Sequence, residues 1–352
     1  MNLGASADEH PAAAAHDQAE EPSTLRAVSP VGLHMGTAVD MQALAEDRAY
    51  REVLATQFAS VTAENVMKWE RLEPVRGVYD WGPADELVAL ASDHDQRVRG
   101  HTLVWHNQLP GWLQEGAFGT NELRAILREH IHATVGRFRG AIWQWDVVNE
   151  AIGDDGAPRE SIWRRELGPG YLADAFRWAH EADPDAQLFY NDYNVEGINP
   201  KSDAMYALVA ELQADGVPIH GVGVQGHLDV SAGFPPDIAE NLRRFDRLGM
   251  ATAITEADVR VPPPSDLATL HAQARGFGML LRAALRTSGC ASFTVWGFCD
   301  RYSWIPGWFP GHGEATLFDE RYAPKYAYEE LHDQLATVTT WHARSHRAQT
   351  AG

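Results

Sequence analysis

Two glutamates stand out for the residues around them. Glu150 closes the run WDVVNE at 145–150, and Glu256 sits within AITEADVR at 253–260. Each follows a short apolar, β-branched stretch, the pattern of a buried strand, so each carboxylate falls toward a strand's C-terminal end. Either alone could cap the following helix or pair with an arginine, Arg260 in the second case. Together they are what cleavage of a glycosidic bond requires. Two carboxyls must face each other across one sugar ring, about 5–5.5 Å apart for retention of configuration and about 6.5–9.5 Å for inversion. An indole at Trp143 or Trp145 would exclude water from Glu150 and favour its protonated form, as a general acid needs. Asp258 lies two residues past Glu256, on the same face of an extended strand.

Other strand ends carry residues suited to a neutral polyol. TAENVMKW (62–69) offers Glu64, Asn65 and Lys68; GHTLVWHNQLP (100–110) offers His101, Trp105, His106 and Gln108. Asn149 precedes Glu150. LFYNDYN (188–194) supplies Asn191 and Tyr193, GVGVQGHL (221–228) supplies Gln225 and His227, and TVWGFCDRYSW (294–304) supplies Trp296, Asp300 and Trp304. Amides and imidazoles hydrogen-bond sugar hydroxyls, and indoles stack on the apolar faces of sugar rings. Metal chemistry is not indicated. His101 and His106 are five apart and so do not share a strand face, and no HExxH is present. Asp154, Asp155 and Gly156 read as a solvated turn rather than a calcium loop. Walker A, CxxC and GxSxG patterns are also missing, and no cofactor is expected.

The elements that must position these residues alternate along the chain. Apolar runs at 31–39, 57–64, 97–105, 141–148, 186–191, 220–228, 250–256 and 291–298 are each followed by a segment with helical spacing. Leu123, Ile126, Leu127, Ile131, Val135 and Phe138 form one such stripe, with Thr120 or Asn121 able to cap its start. Pro235 and Pro236 open another helix that Gly249 closes, and a last helix is expected from Pro324 to about 337. Eight such pairs predict an α/β fold, a single-domain (β/α)8 TIM barrel. A doubly wound open sheet is the other candidate, but no GxGxxG follows the first strand. We place the barrel at 24–338, between an acidic, disordered N-terminal tail at 1–23 and a polar C-terminal tail at 339–352.

Composition narrows the partners. The 352 residues carry a net charge of −20, which disfavours nucleic acid because phosphate binding needs clustered Lys and Arg. No run of 18 apolar residues exists, so no membrane span is expected. Of the 12 Trp, about half read as core and the rest as sugar platforms. Cys290 and Cys299 fall in one extended run that would hold them about 30 Å apart, too far for a disulfide. No signal peptide is visible. The expected location is cytoplasmic if Met1 is the native start, and secreted if a signal has been removed. A monomer is expected.

With these residues in place the sequence resembles family 10 of the glycoside hydrolases, barrel-fold endo-β-1,4-xylanases, over about 25–337. GTAVD at 36–40, TAENVMKW, GHTLVWHNQLP, WDVVNEA, NDYN, QGH, TEADV, VWGFCDRYSW and LFDERYAPKYAYEEL at 317–331 all look like that family's blocks. The resemblance implies Glu150 as acid/base, Glu256 as nucleophile, and a substrate of xylan or xylo-oligosaccharide. It implies that Asn149 binds the sugar 2-hydroxyl and that His227 and Asp258 hold the nucleophile ionised. Glu64, Asn65 and Lys68 match the binding of the second sugar on the non-reducing side. His101, Trp105, Gln108 and Gln225 match groups around the reacting sugar, and Tyr193 a contact on the leaving-group side. Trp296 and Trp304 match indoles that roof the groove and disfavour a C6 hydroxymethyl. One departure is the short segment at Ser29-Pro30, where the family often has a helical stretch. The alternatives are a mixed-specificity, cellulase-like barrel β-1,4-glycanase, a non-catalytic carbohydrate-binding barrel, and a metal-dependent barrel hydrolase.

Overall fold

Among the described residues nine parallel strands are laid down in chain order, and eight of them close on themselves. They are β1 His34–Val39, β2 Ser60–Ala63, β3 Arg97–Val104, β4 Ile142–Asn149, β5 Gln187–Asp192, β6 Gly221–Val224, β7 His227–Asp229, β8 Ala251–Arg260 and β9 Cys290–Val295. Neighbours run β6-β5-β4-β3-β2-β1-β9-β8, and β6 pairs with β8 to complete the ring. Helices lie between the strands, so the fold is a (β/α)8 barrel. This computed structural model describes the backbone of residues 23–350 and the side chains of residues 23–340. The N-terminal tail expected at 1–23 therefore lies, Ser23 excepted, outside the described residues.

The eight apolar runs all become strands, with one refinement. The run at 220–228 splits into β6 and the short β7, because Gly226 takes a φ of +82° between them. β7 pairs with β8 instead of continuing the ring, and sets His227 opposite Asp258. Helix ends differ in detail. The helix Thr120–Arg137 has Gly119 at its N-cap with no side-chain bond, so neither Thr120 nor Asn121 caps it. The helix after Pro235-Pro236 is Ile238–Arg247, with Leu248 at its C-cap and Gly249 left-handed beyond. The last helix starts at Tyr326 and runs to Thr350. Among the described residues before β1 there is a single helical turn, Leu25–Val28, with the Thr24 side chain accepting from the Ala27 amide. Among the described residues no helix is long and apolar enough to cross a membrane. Cys290 and Cys299 are buried free thiols.

Inside the ring, the charged residues of β3 and β4 are paired. Arg99 bonds Asp146 through both Nε and Nη2, and Nη1 donates to Gln144 Oε1 at 2.6 Å. Asp146 also holds His101 Nδ1 at 3.0 Å, which turns the far side of that imidazole toward the top of the barrel. Burial would raise the Asp146 pKa, but the Arg99 guanidinium and the His101 contact outweigh it and hold the carboxyl below its usual range. The ring closes tightly where Gly100 faces Trp145, which is fully buried. A Cβ on Gly100 would lie 2.7 Å from Trp145 Cδ2 and closer still to two other ring carbons. Gly100→Ala is therefore expected to destabilise the barrel by about 1–3 kcal/mol through overpacking, read as a lower urea midpoint at unchanged m-value.

Candidate active site

The C-terminal ends of the strands open into one groove. It is lined by Lys68, His101, Trp105, Gln108, Asn149, Glu150, Tyr193, Gln225, His227, Glu256, Trp296 and Trp304, all singled out in the sequence. Glu150 and Glu256, from strands separated by β5 and β6, meet across it.

The two carboxylates are held in different ways. Glu256 is 5% exposed and lies in β8. Its Oε1 accepts from Asn191 Nδ2 at 2.7 Å, and its Oε2 lies 3.2 Å from His227 Nε2. His227 Nδ1 in turn lies 3.0 Å from Asp258 Oδ2, an ion-pair contact, and the same Asp258 oxygen accepts from Trp304 Nε1 at 2.8 Å. Burial would depress the His227 pKa, but the Asp258 and Glu256 carboxylates push it up to about 10. Burial likewise would raise Glu256, yet the His227 hydrogen bond and the nearby imidazoles bring it below its usual range. An ionised Glu256 thus sits against a cationic His227. The possible ion pair of Glu256 with Arg260 does not form; Arg260 bonds Asp229 at 3.0 Å.

Glu150 has neutral donors instead. Trp105 Nε1 donates to Oε2 at 2.9 Å, and Gln225 Nε2 and Asn149 Nδ2 donate to Oε1 at 3.0 and 3.2 Å. The indole beside Glu150 is therefore Trp105, not Trp143 or Trp145. Trp145 packs in the core, and Trp143 sits at the opposite end of β4, edge-on to His34 and under Arg97. Glu150 also has a φ of +58°, the left-handed region that few non-glycine residues occupy.

A row of residues on adjacent strands connects the pair. Asn149, Asn191 and Gly223 are aligned in register across β4, β5 and β6. Asn191 Nδ2 donates to Asn149 Oδ1 at 2.9 Å as well as to Glu256, and Asn191 Oδ1 accepts from Thr255 Oγ1 at 2.7 Å. Gly223 leaves the space this amide fills: a Cβ there would overlap Asn191 Oδ1 and lie 2.8 Å from Thr255 Cγ2. Asn191, expected to touch sugar, is fully buried beneath the groove floor. Its place is behind the carboxylates, because both its donors are already used.

On one flank, Lys68 Nζ donates to Gln108 Oε1 at 2.7 Å and Asn65 Oδ1 at 3.1 Å, and lies 5.1 Å from the Trp105 ring centre. Burial lowers the Lys68 pKa against the pull of the Glu256, Glu64 and Glu150 carboxylates. Desolvation of the half-buried Glu64 and the nearby Asp40 carboxylate push its pKa up to about 7 against the pull of Lys68. Glu64 and Asn65 do not line the groove, though Asn65 Oδ1 accepts from the lining residues Lys68 and Gln108. Asp300 turns away, to Lys325 at 2.8 Å and the Thr316 amide at 2.9 Å. Arg159, Trp308 and Phe309 also line the groove and carried no signal in the sequence, because all three come from irregular loops or a single helical turn. Trp308 is 66% exposed. Among the described residues no group of three or more His, Cys, Asp or Glu side chains could hold a metal ion.

This arrangement, at the top of a β/α barrel, places the protein among the glycoside hydrolases. More narrowly, the chain belongs to glycosyl hydrolase family 10, whose sequence profile matches residues 24–334. It is 43% identical to endo-1,4-beta-xylanase B of Thermotoga neapolitana over 308 residues, covering 87% of this chain and 89% of that protein. The crystal structure of xylanase 10B from Thermotoga maritima superposes with a TM-score of 0.87 at 42% identity, over 90% of this chain and 99% of that one. Xylanase 10B from Thermotoga petrophila RKU-1, solved with xylobiose, gives 0.88 at 41% identity, over 91% and 99%.

The His227 pairings make a signed prediction. Free imidazole titrates near 6.5 and folded His227 near 10, so its ion pairs stabilise fully below the first value and are lost as pH rises through the second. The stability gap between the native protein and His227→Asn, measured by urea unfolding, should shrink between these two pH values. A gap constant across that window would count against a charged His227.

Proposed function

We propose that the chain is an endo-1,4-β-xylanase that hydrolyses internal bonds of xylan or xylo-oligosaccharides by two displacements, with net retention at the anomeric carbon. The observation that carries this reading is the unequal company of the two carboxylates. Glu256 pairs with a protonated His227 and so is the anion, the nucleophile. Glu150 receives only neutral donors, and is the group that gives a proton to the leaving oxygen.

In the first step a Glu256 oxygen forms a bond to the anomeric carbon as the bond to the leaving oxygen breaks. Glu150 passes its proton to that oxygen. In the second step Glu150, now a carboxylate, takes a proton from water. The water oxygen displaces Glu256, which leaves as the anion it was at the start. Asn149 faces the sugar beside Glu150 and is suited to its 2-hydroxyl. Trp296 and Trp304 line the roof, and the bond from Trp304 to Asp258 fixes that indole where a C6 hydroxymethyl would project. The xylanase names of the relatives and the xylobiose in the Thermotoga petrophila structure support a pentose substrate.

Proton NMR of xylohexaose hydrolysis is expected to show the β-anomer of the new reducing end first; the α-anomer appearing first would mean inversion. Glu256→Gln should abolish turnover. Glu150→Ala should lower kcat/KM on xylohexaose by about 10²–10⁴-fold. Its kcat/KM on a dinitrophenyl xylobioside, whose leaving group needs no proton, should be nearly unchanged. Wild-type rates for Glu150→Ala on unactivated xylan would refute the acid assignment. Trp304→Ala should gain activity on carboxymethyl-cellulose relative to xylan.

A further inference from the structure

Arg159 lies in the loop after β4, and its guanidinium is turned toward the site. Nε donates to the backbone oxygen of Glu150 at 2.6 Å. Nη2 donates to the Ile152 backbone oxygen at 3.1 Å and to the Tyr193 hydroxyl oxygen at 2.9 Å. Glu150 is also the residue held at φ +58°. Such a backbone persists only where its surroundings over-determine it. Arg159 secures the carbonyl on one side of this turn. On the other side the Ala151 amide donates to the Tyr190 hydroxyl at 3.0 Å, and Tyr190 donates to Asp192 Oδ2 at 2.6 Å. Asp192 pairs with the buried Lys201 at 2.9 Å, and the Lys201 ammonium lies 3.3 Å from the centre of the Tyr193 ring. Tyr193 is thus gripped at its hydroxyl by Arg159 and on one face by Lys201. Arg159 touches both this groove-lining ring and the peptide unit that aims Glu150.

We infer that Arg159 is a positioning residue that ties the leaving-group side of the groove, at Tyr193, to the placement of the Glu150 carboxyl. This rests on the reading of Glu150 as the acid/base. A sugar settling against Tyr193 presses on a ring that is fixed to Arg159, and Arg159 holds the turn from which the acid reaches the leaving oxygen. Without the guanidinium the turn is free to relax toward ordinary strand geometry and carry the carboxyl off line. Glu256 depends on Asn191 and His227 and is not touched by Arg159. Loss of Arg159 should therefore slow proton donation and spare nucleophilic attack.

The test compares two substrates on Arg159→Lys, Arg159→Met and Tyr193→Phe. For both Arg159 variants kcat/KM on phenyl xylobioside, whose leaving group needs a proton but carries no sugar, should fall about 10–100-fold, the scale of a small misplacement of a reacting group, while kcat/KM on dinitrophenyl xylobioside stays within about threefold. Lysine should not rescue, because an ammonium cannot present two donors in a fork. Tyr193→Phe, which keeps the ring and the Glu150 carbonyl bond, should widen the gap between the substrates by a smaller factor. Equal losses on both substrates, or an unchanged gap, would overturn the inference. If the Arg159 variants do not fold, Tyr193→Phe decides alone: a wider gap than wild type supports the coupling and the same gap removes it. Glu150→Ala run alongside separates the two failures. If its loss does not depend on the leaving group, the acid assignment fails and the inference with it. If it does and the Arg159 loss does not, only the coupling fails.

Discussion

Asn191 has one side-chain amide and three partners, and the site depends on how they are shared. The Thr255 hydroxyl satisfies its oxygen, which leaves both hydrogens of the nitrogen for Asn149 and Glu256. An amide nitrogen has no third hydrogen to give. The orientation of Asn149 follows: its oxygen is occupied by Asn191, so its own nitrogen turns to Glu150 and the groove. A buried chain of this kind has one arrangement in which every group is satisfied, and every other leaves an unpaired polar atom at a cost of about 1–3 kcal/mol. That chain fixes both carboxylates relative to one another without either touching a charged partner in common.

The charges are then distributed by neighbours that the two glutamates do not share. His227 stands between Glu256 and Asp258, so one imidazolium serves two carboxylates, and Trp304 takes up another bond to Asp258. The buried cluster keeps a net negative charge, and Glu256 remains an anion next to a polarising cation. Glu150 meets an indole, two primary amides and no cation within hydrogen-bond reach. Two chemically identical side chains are thus given different electrostatic company by their neighbours alone.

Much of this was legible in the sequence because strand ends are legible. An apolar β-branched run that stops at a polar residue marks the rim of a barrel, and Glu150, Glu256, Trp105, Gln225 and Trp296 all declare themselves that way. Less could be read where tertiary packing decides. Asn191 has the same pattern as the groove-lining residues, yet its strand position beside Gly223 draws it under the floor. The choice of indole beside Glu150 could not follow from nearness in sequence, since Trp105 comes from another strand and Trp145 turns into the core beside Gly100. Arg159 and Trp308 lie in irregular segments, where no periodicity says which way a side chain faces. Helix caps failed for a similar reason: Gly119 satisfies the same N-terminal geometry as a threonine or asparagine without announcing it.

One signal was present and carried more than it first suggested. Asn149 and Glu150 are adjacent, and adjacent residues of a strand point to opposite faces. If β4 ran on through Glu150, only one of the two could reach the groove. Both do, since they bond each other and share Gln225 as a donor, at 3.5 Å to Asn149 and 3.0 Å to Glu150. The left-handed φ of Glu150 supplies the rotation, at an expected cost of about 1–3 kcal/mol. Glu256 and Asp258, spaced by two, both lie within β8, whose register against β9 slips between Ile254 and Ala257. The adjacency of Asn149 and Glu150 therefore encodes its backbone: two residues side by side at a strand end that both face the groove demand a break between them. That break is where Arg159, Tyr190 and the strain they hold are found.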